Sequence, residues 1–142
     1  CHQAYTLLEP THKTLTVHIT DSSKRGAEWG SLLTSNWNGT YYVQSLGHVN
    51  RNGKGLVDFE RILGIEGVAM ANQVSNANEL INSPIGHSKQ LRSVITFDNG
   101  KCNGNPYQGS TNTLCVLGKT WSPLPVPKLN VYGRPLKCSV RH

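Results

Sequence analysis

The sequence lacks several features that would assign it to a large class of proteins. Its 142 residues contain no run of 18 apolar residues, so we expect no transmembrane helix and no membrane partner. Only 15% of the residues are charged and 37% are hydrophobic, which argues against wholesale disorder. Lysine and arginine form no continuous block, which excludes a basic nucleic-acid-binding tail. We therefore expect a single domain over residues 1–142.

Motifs for metal binding and for common catalytic chemistries are also missing. No C-x-x-C or H-x-x-x-H pair is present, and neither is a serine-nucleophile motif or a phosphate-binding loop. The sequence therefore predicts neither a metal site nor a cofactor.

The chain is basic, with 14 Lys and Arg against 8 Asp and Glu and a formal net charge of +6. A positive surface attracts polyanions, so RNA is one partner that the charge permits. The basic residues are scattered along the chain, so the charge alone does not indicate RNA.

The four cysteines indicate an oxidising compartment. An even number in a small basic chain that begins with Cys1 favours two disulfides and removal of a signal peptide on a secretory route. Three pairings are possible, and we favour Cys102–Cys115 and Cys1–Cys138, because the first closes a short loop and the second joins the termini. Asn38-Gly39-Thr40 is an N-glycosylation sequon, which agrees with secretion.

Hydrophobic patterning predicts an α+β fold. Residues 13–19 alternate as a half-buried strand, with residues 5–8 as its hairpin partner. The Asp21-Ser22-Ser23 capping sequence and the spacing of later apolar residues predict a short helix through about Thr34. Residues 64–88 read as a long loop with at most one helical turn. An antiparallel, twisted sheet of four to five strands is then expected from residues 40–48, 56–63, 91–97, 113–117 and 128–132.

A few residues could carry acid–base chemistry. His48 ends one predicted strand, Glu60 lies on the next and Arg92 opens a third. A histidine, a carboxylate and a guanidinium suit cleavage of a phosphodiester, because two groups move protons and the third stabilises charge on phosphate. An ordinary surface role for each of them is the alternative. Further candidates for the carboxylate or for binding are Glu66, Tyr42 and Lys119.

The layout resembles the fungal secreted ribonucleases, namely the guanyl-preferring microbial ribonucleases and the sarcin-type ribotoxins. The matching stretches are Ser45-Leu46-Gly47-His48, the Leu91–Thr96 strand and the terminal cysteines. The resemblance implies a ribonuclease-like fold, with His48 as the first histidine, Arg92 as the phosphate-facing arginine and Glu60 or Glu66 as the base. Lys119 stands where the family has its second histidine.

Because that general acid is missing, the resemblance implies a catalytically weak or silent member, similar to the ribonuclease-like effectors of plant-pathogenic fungi. Such a protein would be secreted, monomeric and able to enter a host cell, and it would bind a host protein or RNA. One alternative is an active, metal-independent endoribonuclease that uses His48, Glu60 and Arg92. Another follows from Gly39-Thr40-Tyr41-Tyr42 and Asp58-Phe59, which resemble the fungal major-allergen β-barrel family.

Overall fold

The computed structural model describes residues 4–8, 14–83, 85–100 and 121–125. Within these residues the chain forms eight β-strands and one short helix. The strands are β1 (Tyr5–Leu7), β2 (Thr16–Lys24), β3 (Ala27–Ser35), β4 (Tyr42–Asn50), β5 (Phe59–Arg61), β6 (Ala69–Val74), β7 (Leu91–Thr96) and β8 (Ser122–Pro123). The helix, α1, spans Ala77–Asn82 and connects β6 to β7.

The strands form two antiparallel meanders that share one hydrogen-bonded sheet. β1, β2, β3 and β4 pair in sequence order and form the first meander. β5, β6, β7 and β8 also pair in sequence order and form the second meander. The two are joined through β4 and β6, which pair only at Val49 and Gln73.

Side chains from both meanders form the main core. Leu32, Leu46 and Val49 of the first meander meet Phe59 and Trp121 beside the second. Leu8, Val57, Ala69, Ala71 and Val94 complete this cluster. A second cluster packs under α1 and contains Ala27, Trp29, Val74, Ala77 and Leu80. The two meanders therefore bury their apolar side chains against each other, which is the main source of stabilisation for sheets.

The α+β prediction is wrong, because the segment expected to be a helix forms a β-hairpin. Residues 21–24 belong to β2 and residues 27–34 to β3, and these strands pair antiparallel from Thr16–Thr34 to Lys24–Ala27. Gly26 has φ +82 in the tight turn between them, a conformation that glycine adopts without steric cost. The expected one-helix, ribonuclease-like arrangement is therefore replaced by a mostly antiparallel sheet.

Several predicted strands are confirmed. The hairpin of β1 and β2 is present with Tyr5 opposite Ile19, and strands occur within residues 40–48, 56–63 and 91–97. Strand β6 was assigned to a loop, so that part of the prediction is wrong. The predicted strands at 113–117 and 128–132 lie outside the described residues, and so do both predicted disulfides, which involve Cys1, Cys102, Cys115 and Cys138.

Candidate functional site

A cavity of about 470 Å³ opens between the first meander and α1. It lies where the β2–β3 hairpin, a distorted part of β4 and the single helix meet. Its lining residues are Asp21, Ser22, Lys24, Ala27, Trp29, His48, Leu80 and Ile81. Three separate parts of the chain thus contribute to one concave surface, which is the usual form of a ligand site.

The floor of the cavity is apolar and rigid. Trp29 and Leu80 are each 4% exposed and pack in the cluster beneath α1. Ile81, one residue further along the helix, is 60% exposed and forms the rim. Because consecutive helical residues point in different directions, Leu80 anchors α1 while Ile81 faces outward. The cavity therefore offers apolar surface to a ligand.

A bulge in β4 places His48 at the cavity. The register shifts so that Gly30 pairs with Val49 and Leu32 pairs with Leu46, which leaves Gly47 and His48 opposite a single residue of β3. His48 takes φ 55, in the left-handed region. Gln73 Nε2 donates to the carbonyl oxygen of Gly47 at 2.9 Å, which ties the bulge to β6.

The His48 ring lies against the indole of Trp29. The ring centroids are 6.3 Å apart with an interplanar angle of 77°, an edge-to-face contact. The bulge therefore aims this histidine toward the cavity floor, so that the imidazole forms part of the wall.

Polar groups surround the opening. Asp21 and Lys24 are exposed and carry opposite charges. Ser31 Oγ donates to Asp21 Oδ2 at 2.6 Å, and Ser22 Oγ donates to the carbonyl oxygen of Ala27 at 2.6 Å. The combination of an apolar floor with polar groups at the rim suits an apolar side chain whose backbone remains hydrogen-bonded.

Of the predicted acid–base residues, His48 lines this cavity and the others do not. Glu60 is exposed on β5, and Glu66 is exposed in the turn that follows. Arg92 is exposed on β7 and donates through Nη2 to Gln73 Oε1 at 2.7 Å. Lys119 lies outside the described residues. Catalytic roles for His48, Glu60 and Arg92, and binding roles for Glu66, Tyr42 and Lys119, stay predictions that neither the structure nor the comparisons below test.

A half-buried lysine just before β7, which the sequence analysis missed, contacts β3 and the end of β4. Lys89 Nζ donates to Asn50 Oδ1 at 2.8 Å, to the carbonyl oxygens of Arg51 at 2.9 Å and Glu28 at 3.2 Å, and pairs with Glu28 Oε2 at 3.4 Å. Burial alone would raise the pKa of Glu28. Backbone N–H groups of Glu28 and Gly26 and the Lys89 ammonium outweigh it, so that the pKa is lowered.

His18 of β2 is fully buried, and the sequence analysis did not identify it as a candidate. Burial lowers its pKa to about 4, because the charged form would lose its hydration. Its Nε2 lies 3.5 Å from the carbonyl oxygen of Val49, and its Nδ1 is buried without a hydrogen-bond partner. A Cβ on Gly30 would lie 2.5 Å from the His18 ring, so glycine there makes room for the imidazole.

The part of the chain that the structure describes contains no group of three or more His, Cys, Asp or Glu residues that could hold a metal ion. Among the same residues, no helix has the length and apolar character needed to cross a membrane.

The comparisons with known proteins agree on one family. The profile of the Sortilin-Vps10 family, described as sortilin, neurotensin receptor 3, matches residues 1–102. A vacuolar protein sorting/targeting protein 10 from Schizosaccharomyces japonicus is 51% identical over 98 residues, and the one from Schizosaccharomyces pombe is 49% identical over 98 residues. Each match covers 69% of this chain and 6% of the relative.

A third relative matches almost the whole chain. The vacuolar protein sorting/targeting protein 10 of Mycosarcoma maydis is 39% identical over 137 residues, which is 96% of this chain and 8% of that protein. The chain thus spans less than a tenth of the length of these relatives.

These matches overturn the resemblance to the fungal secreted ribonucleases. The relatives are named for the sorting and targeting of vacuolar proteins, so a secreted effector, an endoribonuclease and an allergen-like barrel are all wrong. Extracellular secretion and a role in virulence are wrong for the same reason. Two successive four-stranded antiparallel meanders instead fit a piece of a β-propeller, whose blades are four-stranded sheets. The chain belongs to the Sortilin-Vps10 family.

Proposed function

We propose that this chain is part of the protein-binding region of a receptor that sorts proteins to the vacuole. The observation that carries the proposal is the family match over residues 1–102, because that span contains the whole first meander and most of the second. A protein, and not RNA, is then the partner. The receptor works within the secretory and endosomal membranes, with this region on the lumenal side.

The cavity beside Trp29 is the part of the described surface best suited to contact such a partner. Its floor consists of Trp29 and Leu80, whose side chains are packed in the cluster under α1. Interfaces between proteins depend on apolar or aromatic anchors that enter pockets surrounded by polar groups. An apolar side chain of the partner would lie on Trp29, while Asp21, Lys24 and His48 contact its polar neighbours.

Exposed apolar side chains on β1 and β2 support the proposal that this chain packs against other parts of a larger protein. Tyr5 and Leu7 of β1 are 60% and 44% exposed, and the adjacent Ile19 of β2 is 39% exposed. Tyr5 and Ile19 are directly paired across the strands and lie on one face of the sheet. A cluster of exposed apolar side chains on a sheet usually marks a contact with another part of the protein or with a partner.

A chimeric receptor tests this proposal. The segment of the Mycosarcoma maydis relative that aligns with this chain would be replaced by residues 1–142, and the chimera expressed in cells that lack that protein. We expect a soluble vacuolar hydrolase to be retained inside these cells, whereas cells without the receptor secrete it. A chimera that reaches normal abundance and resists proteolysis but leaves the hydrolase in the medium would contradict the proposal.

A further inference from the structure

The loop between β3 and β4 presents the chain's single N-glycosylation sequon at an ordered tip. Asn36 N donates to the carbonyl oxygen of Tyr41 at 2.9 Å and closes the loop at its base. The side-chain oxygen of Asn36 accepts from the backbone N–H groups of Thr40 at 2.9 Å and Tyr41 at 3.2 Å. The loop is thus fixed by its own hydrogen bonds, and its tip consists of Asn38-Gly39-Thr40.

The sequon is exposed to solvent, as a glycosylation acceptor must be. Residues 37–44 are all exposed, and a Cβ placed on Gly39, which has φ +71, would meet no atom within 4 Å. Asn38 Oδ1 accepts from the backbone N–H of Thr40 at 3.2 Å, which brings the first and third residues of the sequon together. This bond uses the oxygen of the carboxamide and leaves the nitrogen to receive a sugar.

Two exposed aromatic side chains lie on either side of the sequon. Trp37 is 81% exposed and Tyr41 is 73% exposed, although rings of this size are normally buried or covered by a partner. Neither residue lines the cavity described above. Their position directly beside Asn38 suggests that what covers them is attached at the loop itself.

We propose that Asn38 carries an N-linked glycan and that the first sugars of this glycan cover the rings of Trp37 and Tyr41. The donor is a lipid-diphosphate-linked oligosaccharide, the class of substrate found in the secretory pathway. The Asn38 amide nitrogen forms a bond to the anomeric carbon, and the bond from that carbon to the phosphate oxygen breaks. The lipid diphosphate leaves and one amide proton is released. The modification rests on the proposed function only in requiring that this region faces the lumen.

The site is tested by expressing the complete 142-residue chain behind a signal peptide in a fungal host. A reporter sequon on a C-terminal tag would show that each molecule has entered the lumen. We expect peptide N-glycosidase to convert Asn38 to Asp in the peptide that contains it, as detected by mass spectrometry. Thr40→Ala should abolish this conversion and Thr40→Ser should retain it.

An unmodified Asn38 in molecules whose reporter sequon is glycosylated would overturn the assignment. That result would not affect the proposed function, because sorting by the chimeric receptor is measured separately. Conversely, a glycosylated Asn38 together with failure to sort would leave the site intact and reject the receptor proposal.

The contact between glycan and rings needs its own measurement. Removal of the glycan from the folded protein should lower its melting temperature by about 4 °C, because the rings become uncovered. In a Trp37→Ser, Tyr41→Ser variant the same treatment should leave the melting temperature unchanged. An equal shift in the variant and the parent would overturn the proposed contact.

Discussion

The two meanders of this protein are stabilised in different ways. In the first, three of the four strands are nine residues long, and the β2–β3 and β3–β4 ladders bring most of the backbone into hydrogen-bonded pairs. In the second, the strands contain between two and six residues. Short strands supply few ladder hydrogen bonds, so the second meander requires other interactions to hold its position.

Buried polar side chains supply those interactions. Asp58 Oδ2 accepts from the side-chain amides of Asn50 at 2.8 Å and Asn72 at 3.2 Å, and Ser93 Oγ donates to Asn72 Oδ1 at 2.7 Å. Arg61 donates to Asn99 Oδ1 at 2.6 Å and to Thr16 Oγ1 at 2.9 Å, which joins the second meander to β2. Removing a member of such a network leaves buried groups unpaired, so each is costly to change.

The first meander therefore depends on long hydrogen-bonded strands, whereas the second depends on specific long-range side-chain contacts. Three substitutions and one change of pH distinguish stabilisation by long strands from stabilisation by specific side-chain contacts.

Trp121→Ala should cause the largest loss of stability, about 3–5 kcal/mol, because it removes a large core side chain. Trp121 is 8% exposed, packs edge-on against Phe59 at 6.4 Å and donates from Nε1 to Ser45 Oγ at 2.9 Å. It therefore connects the second meander to β4. The matched control is Trp37→Ala in protein made without the Asn38 glycan, which removes an indole that is 81% exposed and should change the free energy of unfolding in urea by less than about 0.5 kcal/mol. Equal losses would show that Trp121 is not part of the core.

Lys89→Met should cost about 3 kcal/mol, because it leaves Glu28, Asn50 Oδ1 and two carbonyl oxygens without their donor. Lys54→Met is the control, since Lys54 is exposed in the turn after β4. The measurement is urea unfolding at neutral pH. If both variants unfold at the same urea concentration as the parent, the polar network does not hold the second meander.

Acid should destabilise the first meander through His18. Its pKa is about 4 in the folded protein and 6.5 when exposed, so the unfolded chain takes up a proton first as the pH falls. Stability contributed by neutral His18 is complete above pH 6.5 and is lost progressively between pH 6.5 and 4. The loss is about 1.4 kcal/mol at pH 5.5.

Urea unfolding from pH 7.5 to 4.5 measures this slope. His18→Gln should flatten the curve in that window, and the exposed His87→Gln should not. A slope that persists unchanged in His18→Gln would mean that another group titrates there. Glu28 would act at lower pH, because backbone N–H groups and the Lys89 ammonium lower its pKa in the folded protein.

Arg92→Ala should have the smallest effect, within about 0.5 kcal/mol. Its guanidinium is exposed and the structure shows it donating to Gln73 Oε1 at the surface of the sheet. Thermal unfolding of the variant and the parent is sufficient to check this. A loss above 1 kcal/mol would show that surface side chains also stabilise the second meander.

The sequence predicted the hairpin of β1 and β2, although the buried side of β2 is its polar side, with Thr16 and His18, while Ile19 is 39% exposed. Leu15, Val17 and Ile19 alternate with polar residues, and the β1–β2 hairpin follows from that pattern. The helix prediction failed because Asp21-Ser22-Ser23 resembles the N-cap of a helix. The structure of this segment is instead determined by the pairing of β2 with β3. Across the turn at Gly26, β2 lies against β3, whose side chains alternate in burial.

The second meander was harder to predict, because residue types that favour turns or the surface are buried within its strands. Asn72 and Ser93 are each 1% exposed, yet asparagine in a sequence favours turns. Asp58, which accepts from Asn72, is 14 residues away from it in the chain, so no local pattern identifies the network. The same limit applies to Lys89, whose acceptors lie 38 to 61 residues earlier in the chain.

The candidate site was predicted only in part. His48 was chosen for ribonuclease chemistry and in fact lines the cavity, where the β4 bulge directs it toward Trp29. Trp29 was placed on a helix, so its meeting with Leu80 and Ile81 of α1 could not be foreseen. A cavity built from three distant segments has no signature in any one of them.

The most direct test of the account concerns the cavity in the chimeric receptor. Ile81 and Ile85 are both exposed isoleucines, at 60% and 92%, but only Ile81 lines the cavity. In the chimera, Ile81→Arg should cause a soluble vacuolar hydrolase to be secreted, whereas Ile85→Arg should leave it inside the cell. Normal sorting by both variants would contradict the claim that this cavity binds the sorted protein.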